Sequence, residues 1–197
     1  METAATCLRS CYYYGVLGMQ ITNLSAKQTP GIYLVGFMGS GKSTIGRKLA
    51  SKIGWRFADL DDDIEAHCAK TISEIFDQEG EAEFRRIESA MLALRIAEVK
   101  ADRPLVLALG GGAFAQQQNR LALRHAGLVV WLDVPFELVQ QRLAGFSHRP
   151  LARDPEKFRA LFHQRREAYA EAEAHIAITS DDTNPAIDAI LELEFFQ

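Results

Sequence analysis

Residues Gly36 to Ser43 read GFMGSGKS, and this octet constrains the chain more than any other feature. It matches G-x-x-x-x-G-K-[ST] in full, and its surroundings are those such a loop requires. Ile32 to Phe37 (IYLVGF) before it is a short apolar, β-branched run that reads as a buried strand. Ile45, Leu49 and Ile53 after it fall at helical spacing. Glycine lets the backbone curl until successive N–H groups face phosphate oxygens, and the helix that follows presents its positive end. Gly39, Ser40, Gly41, Lys42, Ser43 and Thr44 are therefore the expected phosphate contacts. Lys42 reaches the β- and γ-phosphates, and the Ser43 hydroxyl is placed to ligate Mg²⁺. The motif implies a bound nucleotide and leaves the reaction open.

The rest of the chain repeats the strand-then-helix pattern. Further strands are expected at Trp55 to Leu60, Leu105 to Leu109, Leu128 to Leu132 and His175 to Ile178. Helical patterns run from Ile64 to about Arg95 with a break near Gly80, then over Gln117 to His125, Phe136 to Leu143 and Phe158 to Glu173. Strands that are apolar almost throughout and alternate with helices imply an α/β fold, a parallel sheet covered by helices on both faces. Ligands of such sheets lie beyond the carboxyl ends of the strands, which is where the motifs fall. At 197 residues and 48% hydrophobic content, one domain over 31–197 accounts for the folded part. Residues 1–30 show no trusted periodicity and are expected to be a flexible extension. A start at Met19 and a functional tail both remain open, while sparse basic residues count against a transit peptide.

Composition narrows the partners. A net charge of -4 with scattered basic residues gives no surface for a phosphate backbone, so nucleic acid is not expected. Three cysteines, Cys7, Cys11 and Cys68, lack the paired spacing of zinc or disulfide frameworks and suit a reducing cytoplasm. No apolar stretch approaches the roughly 18 residues of a membrane span. No long heptad or exposed apolar stripe is evident, and a monomer is the default expectation.

Two acidic residues close the second strand. Asp59 and Asp61 stand two apart, and on a strand they would project to one side, near the phosphates. One carboxylate can then serve magnesium through its water shell, and the other can take the proton of an acceptor hydroxyl. Asp62 or Asp63 is expected to cap the next helix. Arg85 and Glu88 lie three apart on a predicted helix and share a face, so the carboxylate can hold the guanidinium as a fork for a planar anion. Gly110, Gly111 and Gly112 follow the third strand and permit close backbone approach to a ligand.

Taken in order, GFMGSGKS, Asp59-Leu60-Asp61, TISEIFDQEGEAEFRRIE (Thr71 to Glu88), the three glycines, Arg149-Pro150-Leu151 and Arg165 resemble the shikimate kinase family over about Gly31 to Pro185. That resemblance implies a three-layer α/β/α P-loop kinase fold, a five-stranded parallel sheet in the order 2-3-1-4-5 with a substrate-binding segment near 61–90 and a lid near 144–157. It implies transfer from ATP, with Mg²⁺, to the 3-hydroxyl of shikimate, on the route to chorismate and the aromatic amino acids. By the same resemblance Asp61 is the base, Arg85 and Arg165 clamp the substrate carboxylate, and Glu88 holds Arg85. Phe76 and Phe84 line the ring's pocket, and Gly110 to Gly112 bind substrate through a turn whose Gly111 contributes its backbone. Ser43 and Asp59 serve the metal, Arg149 meets the ATP phosphates, and Arg142 and Pro185 cover the two faces of adenine. The chain departs from the family at Asp182-Thr183, where a basic residue is usual, and at Ala152, where a leucine is usual. Two other readings stay in view: a kinase for another small hydroxy acid such as gluconate, and a nucleotide-binding module without catalysis.

Overall fold

A computed structural model describes residues 31–144 and 155–193. Residues 1–30, Arg149, Ala152 and most of the expected lid lie outside the described residues. Five strands, β1 (Gly31–Val35), β2 (Arg56–Asp59), β3 (Leu105–Ala108), β4 (Leu128–Asp133) and β5 (Ala174–Ala177), form one parallel sheet in the order β2-β3-β1-β4-β5. The helices are α1 (Lys42–Ile53), α2 (Leu60–Cys68), α3 (Ile72–Lys100), α4 (Gln117–Leu123), α5 (Phe136–Leu143), α6 (Pro155–Tyr169) and α7 (Asn184–Leu191), with a 3-10 turn at Ala113–Ala115. Among the described residues no helix is long and apolar enough to cross a membrane.

Burial explains why the strands read as they do. Every residue of β1 and β3 is buried, as expected of inner strands covered on both faces, and so both segments are apolar from end to end. The edge strand β5 alternates instead: Ala174 and Ile176 are buried while His175 and Ala177 are exposed. Ile45 and Leu49 of α1 and Ile187 and Ile190 of α7 join Leu34, Leu107 and Val130 of the sheet in the core. Each such side chain contributes about 1.5–3 kcal/mol through removal from water. The sheet brings the carboxyl ends of β1, β2 and β3 side by side, and these ends carry the phosphate loop, Asp59 and the glycine run.

Several expected spans shift. Strand β1 stops at Val35 because Gly36 (φ 145°) already turns into the loop, and β2 covers only Arg56–Asp59. Asp61 is not on the strand: Leu60 begins α2, so Asp61 sits in that helix's first turn. The cap of α2 is Asp59 rather than Asp62 or Asp63, since its Oδ1 accepts from the Asp61 N–H at 3.1 Å. The helical stretch from Ile64 breaks twice. Ala69 (φ 51°) ends α2, and α3 kinks at Gly80 (φ 82°, ψ 169°) where the break was expected. Thr71 and Glu74 form a reciprocal capping box that starts α3, a T-x-x-E signal legible in the sequence. Helix α6 starts and ends earlier than expected, β5 is shifted back to Ala174–Ala177, and α7 was not expected as a helix.

Candidate active site

The nucleotide side is built by β1 running into α1. Gly39 (φ 77°) and Gly41 (φ 91°) take left-handed conformations that a side chain would strain, and Gly41 is the residue that hands the loop over to α1. Lys42 lies along the loop, its Nζ donating to the carbonyls of Gly36 at 3.0 Å and Phe37 at 3.1 Å. Ser40 is buried within the loop and Thr44 is exposed on α1. Ser43 Oγ donates to Asp59 Oδ2 at 2.5 Å, which joins the two residues expected to serve a metal. A hydroxyl and a carboxylate are hard oxygen donors of the kind Mg²⁺ takes while keeping waters and phosphate oxygens in its other positions, so the residues fit that ion.

Arg142, on α5, borders the same loop. Its Nη1 donates to Gly39 O at 2.8 Å, its Nη2 to Ser180 O at 2.8 Å, and its Nε to Asp181 at 2.9 Å. The guanidinium thereby joins the loop to the segment after β5 that leads to Pro185, which is exposed in the first turn of α7. Thr183, one of the departures, accepts a hydrogen bond from Lys48 Nζ at 2.8 Å.

The acceptor side converges on the glycine run. A Cβ on Gly110 would stand 2.5 Å from Asp61 Oδ1 and 3.1 Å from Glu88 Oε1, so the absence of a side chain there lets two carboxylates close on the backbone. A Cβ on Gly112 would overlap both terminal nitrogens of Arg85. At Gly111 a Cβ would lie 3.7 Å from Met38 N and 3.9 Å from Gly36 O, which puts the turn directly against the phosphate loop. Among the described residues the turn's own backbone bonds are Leu109 N–H to Leu34 O, Ala113 N–H to Gly110 O and Ala115 N–H to Gly112 O, and none of them uses a glycine N–H group.

Glu88 is 1% exposed and holds Arg85 Nη1 at 2.8 Å, the pairing expected from their spacing. Glu81 accepts from Nη2 of the same guanidinium at 3.2 Å. Phe84 is buried, with the Phe76 ring 4.5 Å from it and Arg85 Cζ 5.1 Å over its face. Arg165 reaches in from α6 and donates to Gly111 O at 3.1 Å. Arg85, Arg165, Gly112, Gln116, Arg120 and Gln164 line a cavity of about 540 Å³ at this end of the cleft.

Burial acts the same way on both carboxylates of this side. Burial pushes the Asp61 carboxyl above its usual range and the nearby Asp59 adds to this, against the pull of Lys42. Burial also raises Glu88, against the Arg85 guanidinium. An elevated aspartate beside a cationic loop suits a group that must take up a proton.

Two contributors were not found from the sequence. Gln116 Nε2 donates to Glu88 Oε2 at 2.7 Å, so the carboxylate that holds Arg85 is itself held. Tyr169 O–H donates to Gly111 O at 2.5 Å. Gln116 carried no periodic or motif signal, whereas Tyr169 lies four residues after Arg165, a spacing that puts both on one face of a helix.

The shikimate kinase family matches residues 38–194 of the chain. A shikimate kinase of Persephonella marina is 40% identical over 161 residues, 81% of this chain and 96% of that protein. One of Parasynechococcus marenigrum is 43% identical over 182 residues, 89% of this chain and 93% of that protein. The solved shikimate kinase from Acinetobacter baumannii in complex with shikimate is 40% identical, with a TM-score of 0.73 over 83% of this chain and 91% of that one. With the sheet order, the phosphate loop and the glycine-centred acceptor side already in place, these matches put the chain in the shikimate kinase family.

Proposed function

We propose that the cleft moves the γ-phosphoryl group of ATP to the 3-hydroxyl of shikimate, yielding ADP and shikimate 3-phosphate. The observation that carries the reading is the contact of the glycine turn with the phosphate loop: Gly111 abuts Met38 and Gly36, while Asp61, Arg85 and Arg165 gather on the same turn. An anchored hydroxy acid there lies beside a triphosphate cradled by Gly39 to Ser43.

Phosphoryl transfer needs positioning and charge neutralisation more than covalent help from the protein. Arg85, stiffened by Glu88, and Arg165 receive the substrate carboxylate as charged donors. Phe76 and Phe84 offer an apolar wall, and the glycine turn offers backbone N–H groups. Asp61 accepts a hydrogen bond from the 3-hydroxyl and takes its proton as the oxygen bonds to the γ-phosphorus and the bridging oxygen departs with ADP. Lys42 turns from the loop carbonyls to the transferring phosphoryl, and Arg149 is assigned to the same phosphates. Ser43 and Asp59 would hold Mg²⁺, which would supply charge neutralisation to the triphosphate. Arg142 and Pro185 are assigned to adenine, a role supported by the contact of Arg142 with the loop and with the segment that leads to Pro185.

The same reading takes a monomer working on a small molecule in the cytoplasm, with no nucleic acid or membrane as partner. The acidic net charge supports the exclusion of nucleic acid.

An ADP-release assay with Mg-ATP tests the assignment. Shikimate should drive release and yield shikimate 3-phosphate, and gluconate should not. ADP release indifferent to shikimate would overturn it.

A further inference from the structure

Residues Gly110 to Ala113 form a β-turn closed by the Ala113 N–H bond to Gly110 O at 3.1 Å. Gly112, at φ -103° and ψ -19°, has the conformation of the second central residue of a type I turn. Gly111–Gly112 is thus the central peptide, and it is the soft part of the turn. A type II turn needs positive φ at the second central position, which glycine accepts, so this peptide can turn over at little steric cost. Turning over would swing the Gly111 carbonyl and the Gly112 N–H to opposite sides.

Helix α6 opposes that motion with two donors on one oxygen. Tyr169 O–H donates to Gly111 O at 2.5 Å and Arg165 Nη1 donates to it at 3.1 Å. The two are unequal. Arg165 is partly exposed and is also the residue assigned to the substrate carboxylate, so its guanidinium has a second task. Tyr169 is 1% exposed, packs 6.1 Å from Trp131, and its hydroxyl has Gly111 O as its partner. Burial raises its pKa, so the phenol keeps the proton it donates. In a planar trans peptide the carbonyl and the following N–H point in opposite directions, so a bond on Gly111 O fixes the Gly112 N–H away from α6.

We infer that Tyr169 is a positioning residue for the acceptor: its hydroxyl locks the Gly111–Gly112 peptide in the orientation that offers the Gly112 N–H to the acceptor while Arg165 engages the ligand. This rests on the function proposed above and adds a residue not among those assigned to substrate or nucleotide.

Tyr169→Phe keeps the buried ring and removes the lock. The expected result is a shikimate KM raised about fivefold, the loss of one neutral hydrogen bond, with the KM for ATP within about twofold of wild type by the same measure. In the ligand-free protein the Gly112 amide resonance should shift in a ¹H–¹⁵N spectrum. A shikimate KM unchanged by the substitution overturns the inference, and so does an equal rise in both KM values, which would mean a general loosening of the fold. Should wild-type enzyme not turn over shikimate, the proposed function fails on its own. The Gly112 resonance then decides the inference, and an unshifted amide sinks it.

Discussion

The two sides of the cleft are assembled differently. On the nucleotide side the contacts that shape the loop are mostly local: Lys42 reaches carbonyls five and six residues back and Gly41 opens α1 directly, with the bond from Arg142 to Gly39 O across 103 positions as the exception. On the acceptor side the contacts span the chain. Gln116 meets Glu88 across 28 positions, Arg165 meets Gly111 across 54, and Tyr169 meets Gly111 across 58. A loop made largely of its own backbone takes its shape from one strand and one helix, and Arg142 then ties it to the segment after β5. A pocket made of α2, α3, the β3 turn and α6 exists only once the domain has packed. Substitutions on the acceptor side should therefore move substrate binding and stability together, and those bordering the nucleotide should move nucleotide affinity alone.

Asp61 should give the largest effect and a deliberate exception to that rule. Asp61→Asn removes the proposed base, and kcat should fall by about 10²–10⁴-fold while ATP binding stays nearly intact. Stability should rise. Its carboxyl is raised by burial and by Asp59, so the folded state binds the proton more tightly than the unfolded one. Its contribution is then greatest below the unfolded pKa and is lost as pH rises through the raised folded value. At neutral pH the asparagine escapes that loss, and calorimetry should record a higher Tm beside the dead enzyme. In the wild type, kcat/KM for shikimate should climb with pH through a value above the ordinary aspartate range. Undiminished turnover in the variant would remove Asp61 from the mechanism.

Arg85→Ala follows the rule in full. It takes the guanidinium from a carboxylate that is 1% exposed, and breaking a buried pair costs about 3–5 kcal/mol. The cost here should be lower, about 2–3 kcal/mol, because Gln116 still donates to Glu88 and Arg85 is itself 20% exposed. The KM for shikimate should rise more than tenfold, since a charged hydrogen bond is worth about 1.5–3 kcal/mol. A KM for shikimate that stays put would contradict the clamp.

The glycine turn offers a finer test within the acceptor side. At Gly112 a methyl group collides with the Arg85 fork, so Gly112→Ala should displace the guanidinium and cost about 1–2 kcal/mol in substrate binding. At Gly111 the nearest atoms stand at ordinary contact distance, 3.7 and 3.8 Å, so Gly111→Ala should cost clearly less. Measuring the shikimate KM of both variants checks the order, and a Gly111 variant that is the worse of the two would reverse it.

The legibility of the chain follows the same division. The strands could be read because inner parallel strands are apolar throughout, and the phosphate loop because its residues are contiguous. Arg85 and Glu88 were readable as a pair through helical spacing. Asp59 and Asp61 were identified as a pair, but the geometry behind them was wrong, because a capping aspartate looks the same in sequence as the last residue of a strand. Gln116 was out of reach, since nothing near it in sequence shows that Glu88 will pack above it. Helix α7 was missed although Pro185 stands at its first turn, a position where proline favours a helix start.

Thr183 supplies the smallest effect and the sharpest check on the nucleotide side. The resemblance leads us to expect a basic residue at about Asp182-Thr183, and the Thr183 hydroxyl accepts from Lys48 Nζ at 2.8 Å. The bond is exposed, so water replaces either partner readily, and a long lysine side chain loses rotamer freedom when it is held. Such a contact is worth no more than about 0.5 kcal/mol, and the side chain makes no capping bond to α7. Thr183→Ala should therefore leave both Tm and the KM for ATP close to wild type. Thr183→Lys would place a second positive charge beside Lys48 near the segment that leads to Pro185, so any gain in ATP affinity should be greatest at low salt and shrink as salt is raised. A drop in ATP affinity in Thr183→Ala beyond twofold would show that this departure serves the nucleotide after all.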